Sequence, residues 1–233
     1  MDPRYSPHPL FNARVDTIGD DRAPVLIVDH FCSDPDGLVR DAELAFARTR
    51  RQRESFPGIV TAADEVYARQ AVGHLMPMIC RAFGVSGRIQ TGGFDFQILT
   101  SPPEQLSPKQ RRPHYDLADV DVVASVLFLC RPPFLGTAFY RHNPTGFEVI
   151  TPDRVAVYGH AMGAPGGGAA SGGYMSGDTA EFTQIANYDA VYNRMILFSA
   201  ASLHSACAVR GHGFSSDPKT GRLTANLFLK FAK

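Results

Sequence analysis

From Gly92 onward the chain is cut into strand-length apolar runs, and this punctuation constrains the fold more than any other feature. Residues 94–99, 122–130, 137–140, 154–158, 194–198, 205–209 and 222–230 are rich in branched and aromatic side chains and are separated by Gly, Pro, Asn and Asp. The 21 glycines and 17 prolines of the 233-residue chain exceed ordinary usage and supply the turns. Many short strands without long helices between them imply a sandwich or a barrel. Residues 92–233 are therefore expected to form a β body.

The front of the chain carries a different period. Residues 23–29 are a branched apolar run that fits a short buried strand. Ser33 and Asp36 have capping-box spacing, Pro35 suits a first turn, and Leu38, Val39, Ala42, Ala45 and Phe46 recur on one face, which predicts a helix from about 34 to 51. Its end holds Arg48, Arg50, Arg51 and Arg53, as a helix dipole favours. Residues 63–83 repeat the pattern, with Gly84 placed to stop the last turn and Pro77 placed to kink or divide the segment. The expected fold is mainly β with amino-terminal helices, in one domain over 1–233: a strand and supporting helices in 1–91, and a core in 92–233. The glycine-rich stretch near 161–177 reads as an insertion, either a surface loop or a lid, flanked by His160 and Tyr174.

Charge and motifs narrow the function. With 23 basic and 23 acidic side chains the formal net charge is zero, so a broad nucleic-acid footprint is not expected. The polar, proline-rich first ten residues resemble no leader and no run suffices for a membrane span, which makes a cytoplasmic location the expectation. Cys32, Cys80, Cys130 and Cys207 form no CxxC pair and read as free thiols. Neither a phosphate-binding glycine loop nor a G-x-S-x-G nucleophile elbow is present.

The chemistry concentrates in residues 112–117. In an extended segment, i and i+2 share a face, so His114 and Asp116 can offer an imidazole nitrogen and a carboxylate oxygen to one metal while Tyr115 turns away. His204, just after the apolar run 194–198, is the best third ligand. Two histidines and one carboxylate make a facial triad that leaves one side of an octahedral iron open. Downstream, Arg222, Thr224 and Asn226 share one face of the last strand, with Leu223, Ala225 and Leu227 on the other. An arginine turned into a barrel needs a carboxylate partner. His142 reads as a turn or pocket-rim residue, His74 as structural, and Gln97 and Tyr140 as cavity or core groups.

On these residues the chain resembles the 2-oxoglutarate and Fe(II)-dependent dioxygenase superfamily, closest to its prolyl-4-hydroxylase-like branch and a related bacterial family. The resemblance covers about residues 92–231. It implies a double-stranded β-helix, a jelly-roll or cupin-like barrel, with iron held by His114, Asp116 and His204. It also implies that Arg222 pairs with the remote carboxylate of 2-oxoglutarate and that Thr224 supplies a neighbouring hydroxyl, with Arg210 as the rival arginine. The implied reaction is hydroxylation of an amino acid, peptide or small metabolite, consuming O2 and 2-oxoglutarate and releasing succinate and CO2. Asp116, where related halogenases carry a small residue, favours hydroxylation. The alternatives are a metal-dependent cupin-like oxidase or isomerase that does not use 2-oxoglutarate, and a non-catalytic jelly-roll binding module. Partners other than a small molecule or peptide are not expected, and the oligomeric state is open.

Overall fold

The computed structural model describes residues 2, 4–53, 55–86, 88–131, 133–163, 172–207 and 214–232. The described residues form two antiparallel sheets. The larger has eight strands in the order β1 (Asn12–Ile18), β2 (Ala23–Asp29), β9 (Arg194–Ser199), β6 (Val122–Phe128), β11 (Arg222–Phe231), β5 (Ile89–Leu99), β4 (Phe56–Ala62) and β3 (Arg51–Arg53). The smaller has β10 (His204–Ala206), β7 (Thr137–His142) and β8 (Phe182–Tyr188). Phe139 of β7 meets Phe198 of β9 edge-on at 5.1 Å, so the two sheets face each other as in a jelly-roll.

Alternation along β11 sets the layers. Leu223, Ala225, Leu227 and Leu229 point to a core shared with the helices α1 (Pro35–Arg48) and α2 (Glu65–Phe83), which pack through Leu38, Phe46, Tyr67, Leu75 and Ile79. Arg222, Thr224, Asn226 and Phe228 point the other way, into the space between the sheets. One strand thus seals a hydrophobic layer on one side and lines a cavity on the other.

Several expectations need correction. The first 91 residues are not one strand with supporting helices but contribute four strands, β1 to β4, that all join the eight-stranded sheet. β1 and β3 are edge strands with mostly exposed side chains, so they lack the apolar signal that marks a buried strand. β8, at the edge of the smaller sheet, has mostly half-buried side chains and mixes polar with apolar residues, so its apolar signal is weak too. Asp34, not Ser33, caps α1, accepting a bond from Gly37 N at 2.8 Å, and the helix ends at Arg48. Pro77 does not divide α2; the residue its ring would crowd is Gly73, whose backbone yields most easily. Residues 154–158 are not a strand: Arg154 ends a turn and residues 155–158 open α3 (Val155–Gly163). Their branched residues suggested β structure, but Pro152 and Asp153 favour a helix start and the local turn 151–154 closes it.

Candidate metal centre

The site is built where the chain passes from one sheet to the other. After β9, the small residues Ala200, Ala201 and Ser202 allow a tight buried turn, closed by Ser202 N donating to Ser199 O at 2.9 Å. His204 then opens β10. Residues 112–117 lie across this passage: His114 N donates to His204 O at 2.9 Å, His204 N donates to His114 O at 2.8 Å, and Asp116 N donates to Ala200 O at 2.8 Å. His114 and His204 are therefore a hydrogen-bonded cross-strand pair, whose side chains emerge on one face. Backbone bonding alone places the two imidazoles side by side, with ring centroids 4.5 Å apart.

Asp116 completes the cluster by the i, i+2 rule. Its Oδ1 is 3.7 Å from His114 Nε2 and its Oδ2 is 3.7 Å from His204 Nε2. One donor atom from each of the three residues lies within 4.8 Å of the others. Since a carbonyl only accepts, His204 Nδ1 donates to Ser202 O at 2.9 Å, and this leaves Nε2 to face the cluster. Burial of the His114 ring, reinforced by the adjacent His204, pushes its pKa down to about 4. The ring is neutral at physiological pH although about half of the side chain is reachable from the cavity mouth. Two imidazoles, one carboxylate and an open side facing the cavity are the donor set that a divalent transition metal requires.

The cavity behind the cluster has a volume of about 490 Å³. Arg222 and Thr224, the two residues expected to hold a cosubstrate, line it and are both buried. Arg222 Nε donates to Leu135 O at 2.9 Å and Nη2 to Gly136 O at 2.7 Å. Its ring of neighbours is apolar or neutral: Phe128 lies under the guanidinium, and Cys130, Cys207 and Tyr174 are close. Burial lowers its pKa, and no ion pair between Arg222 and a carboxylate is found among the described residues. Gly136 is required at this spot because a Cβ there would overlap Tyr188 O at 1.6 Å. Thr224 Oγ1 accepts from Asn226 Nδ2 at 3.3 Å, and Asn226 Oδ1 has no hydrogen-bond partner among the described residues.

The other candidates fall where their environments dictate. His142 is completely buried on β7 rather than at a rim, with Nδ1 2.8 Å from Thr145 Oγ1 and Nε2 3.7 Å from Glu181. That pairing was not anticipated, and no local pattern marks it. Tyr140 is also core, donating to Gln184 Oε1 at 3.4 Å, whereas Gln97 does line the cavity and donates to Asp95 at 2.9 Å. His74 contacts Tyr5 O at 2.9 Å. His160 sits exposed on α3, and Tyr174 is anchored by a 2.7 Å bond to Ser101 O. Arg210 and residues 164–171 of the glycine-rich stretch lie outside the described residues. No described helix is long and apolar enough to cross a membrane.

Solved structures share this architecture. The non-heme alpha ketoglutarate dependent epimerase SnoN from nogalamycin biosynthesis aligns at 13% identity over 91% of this chain and 79% of its own, with a TM-score of 0.51. The carbocyclase SnoK, also non-heme and alpha ketoglutarate dependent and from the same biosynthesis, aligns at 12% identity over 89% and 79%, with a TM-score of 0.51. HygX from Streptomyces hygroscopicus, solved with nickel, 2-oxoglutarate and hygromycin B bound, aligns at 12% identity over 91% and 84%, with a TM-score of 0.48. At these identities the first two establish a common fold. No curated protein matches the sequence. The sequence profile that does match spans residues 9–229, and the chain accordingly belongs to the family of unknown function DUF6445.

Proposed function

We propose that the chain is an Fe(II)- and 2-oxoglutarate-dependent dioxygenase that hydroxylates a small metabolite, amino acid or peptide. The observation that carries this reading is one cavity with a two-imidazole and carboxylate cluster at its mouth and a buried arginine deeper inside that has no carboxylate partner among the described residues. His114, Asp116 and His204 would hold the iron, and Arg222 with Thr224 would hold the distal carboxylate of the cosubstrate. Bound together, iron and 2-oxoglutarate would supply the oxidising power for C–H cleavage, with O2 consumed and succinate and CO2 released.

The protein's own work is positional. The His114–His204 ladder and the Ser202 bond hold both rings with their lone pairs toward the cavity. The Leu135 and Gly136 carbonyls hold Arg222 Nε and Nη2, so the remaining guanidinium donors keep one orientation toward a carboxylate. Phe56, Phe198 and Phe228, which line the cavity, limit water near the reacting centre. The whole chain would act as one oxygenase domain, since its first strands belong to the sheet that bears Arg222. The prolyl-4-hydroxylase-like placement rests on the sequence motif. The epimerase and carbocyclase reactions named for SnoN and SnoK make isomerised or cyclised products a second outcome worth measuring.

Anaerobic Fe(II) titration followed by an assay of 2-oxoglutarate conversion to succinate across a metabolite panel tests the proposal. Expected are one metal per chain and substrate-stimulated succinate formation. Metal binding without affinity for 2-oxoglutarate would favour the cupin-like alternative, and absence of both would favour a binding module.

A further inference from the structure

Resting on the oxygenase reading, we propose that the substrate carries an oxyanion, a carboxylate or phosphate on an apolar body, and that Arg112 recognises it. The alternation that unites His114 and Asp116 extends one step back. Arg112 has extended backbone angles (φ −138°, ψ 158°), so it shares the face of the two ligands, and it lines the same cavity. It is only partly buried, and its charge lies close enough to Tyr158 of α3 to act on that phenol.

The charges around the mouth are unequal. Arg53 also lines the cavity, but Asp95 Oδ2 lies 2.9 Å from its guanidinium and compensates it. Arg112 and the neighbouring, exposed Lys109 form no ion pair among the described residues. Asp116, which also lines the cavity, is the carboxylate committed to the metal cluster. Among the described residues, a chain of zero net charge thus presents two cations without an ion-pair partner at the entrance of one cavity. Beyond them Phe56, Pro57, Val126, Met162 and Phe228 give the wall an apolar portion. A head group that accepts a forked pair of hydrogen bonds, attached to an apolar body, matches that division. Arg222 is a separate site, deeper and already oriented by two backbone carbonyls.

The test uses three probes with one body: hexanoate, hexyl phosphate and neutral hexanamide. Each is titrated calorimetrically into the full chain loaded with Mn(II) and saturating 2-oxoglutarate. One or both anions should bind at least about tenfold tighter than the amide, and whichever anion binds better identifies the head group. Arg112→Met should abolish that preference while leaving the 2-oxoglutarate affinity within about twofold, and Arg112→Lys, which keeps the charge without the fork, should retain part of it. Equal binding of amide and anions, no binding by either anion, or a preference that survives in Arg112→Met overturns the proposal. So does a loss of 2-oxoglutarate affinity in Arg112→Met comparable to that in Arg222→Met, because Arg112 would then serve the cosubstrate. Repeating the titrations without metal or 2-oxoglutarate separates the two readings. A protein that never binds 2-oxoglutarate but keeps an Arg112-dependent anion preference defeats the oxygenase assignment and supports the anion site.

Discussion

His114 and His204 each stand 3.7 Å from Asp116, and His142 stands 3.7 Å from Glu181, yet the two clusters have opposite surroundings. The first faces a cavity, gathers three donors and leaves one side open. The second is sealed between Tyr158 and Phe182, with ring centroids 5.1 and 5.2 Å away, and has no third donor of that kind among the described residues. An imidazole beside a carboxylate is therefore no signature of chemistry by itself. Access and a third ligand turn the pair into a site, while burial without access makes it part of the packing.

The largest expected effect separates the two clusters by metal affinity. His114→Ala, Asp116→Ala or His204→Ala should each weaken Mn(II) binding more than about 100-fold, beyond the range seen when only a supporting partner is lost. His142→Ala should leave it within about twofold. Isothermal titration measures both, and a triad variant that keeps its affinity would remove the distinction.

Next in size is the response of the buried arginine. Arg222→Met should weaken 2-oxoglutarate binding by about 30-fold or more, the lower end of what a buried charged hydrogen-bond pair loses on truncation. Arg222→Lys should recover only part, because an ammonium lacks the parallel donors. An unchanged dissociation constant in Arg222→Met, set beside a large loss in Arg210→Lys, would transfer the role to Arg210.

Stability should show the reverse ranking. His142→Ala empties a fully buried site and removes a partner from Thr145, so a cost of about 2–4 kcal/mol is expected. His114→Ala, half exposed, should cost much less. Denaturant unfolding of the metal-free protein compares them, and equal costs would mean that the open cluster is structural too.

The smallest effect is a pH dependence. Burial lowers the pKa of both His114 and His142 below the value of about 6.5 that each regains on unfolding, so between those values the unfolded chain binds protons that the folded chain does not. Stability of the metal-free protein should be level above about pH 7 and decline as pH falls from about 6.5 toward 5. For His114 the decline continues until its folded value of about 4 is reached. His142→Gln should flatten part of the slope in a melting-temperature series. A wild-type series with no slope in that window would show that neither ring is held neutral by the fold.

What local pattern can encode was already in the sequence: the pairing of His114 with Asp116, the split of β11 into Leu223, Ala225 and Leu227 against Arg222, Thr224 and Asn226, and the left-handed stop at Gly84 (φ 65°). Each follows from the backbone period of a single element, which neighbouring residues fully specify. Other features belong to the tertiary structure. His204 meets His114 through a ladder between distant segments, and Arg222 meets Leu135 and Gly136 only once the two sheets face each other. His142 is buried because Tyr158 and Phe182 close around it, and α3 forms where branched residues argued for a strand. Propensity and spacing describe what a segment can do alone; contact across the fold decides which polar groups are sealed, which are paired and which are left open to a ligand.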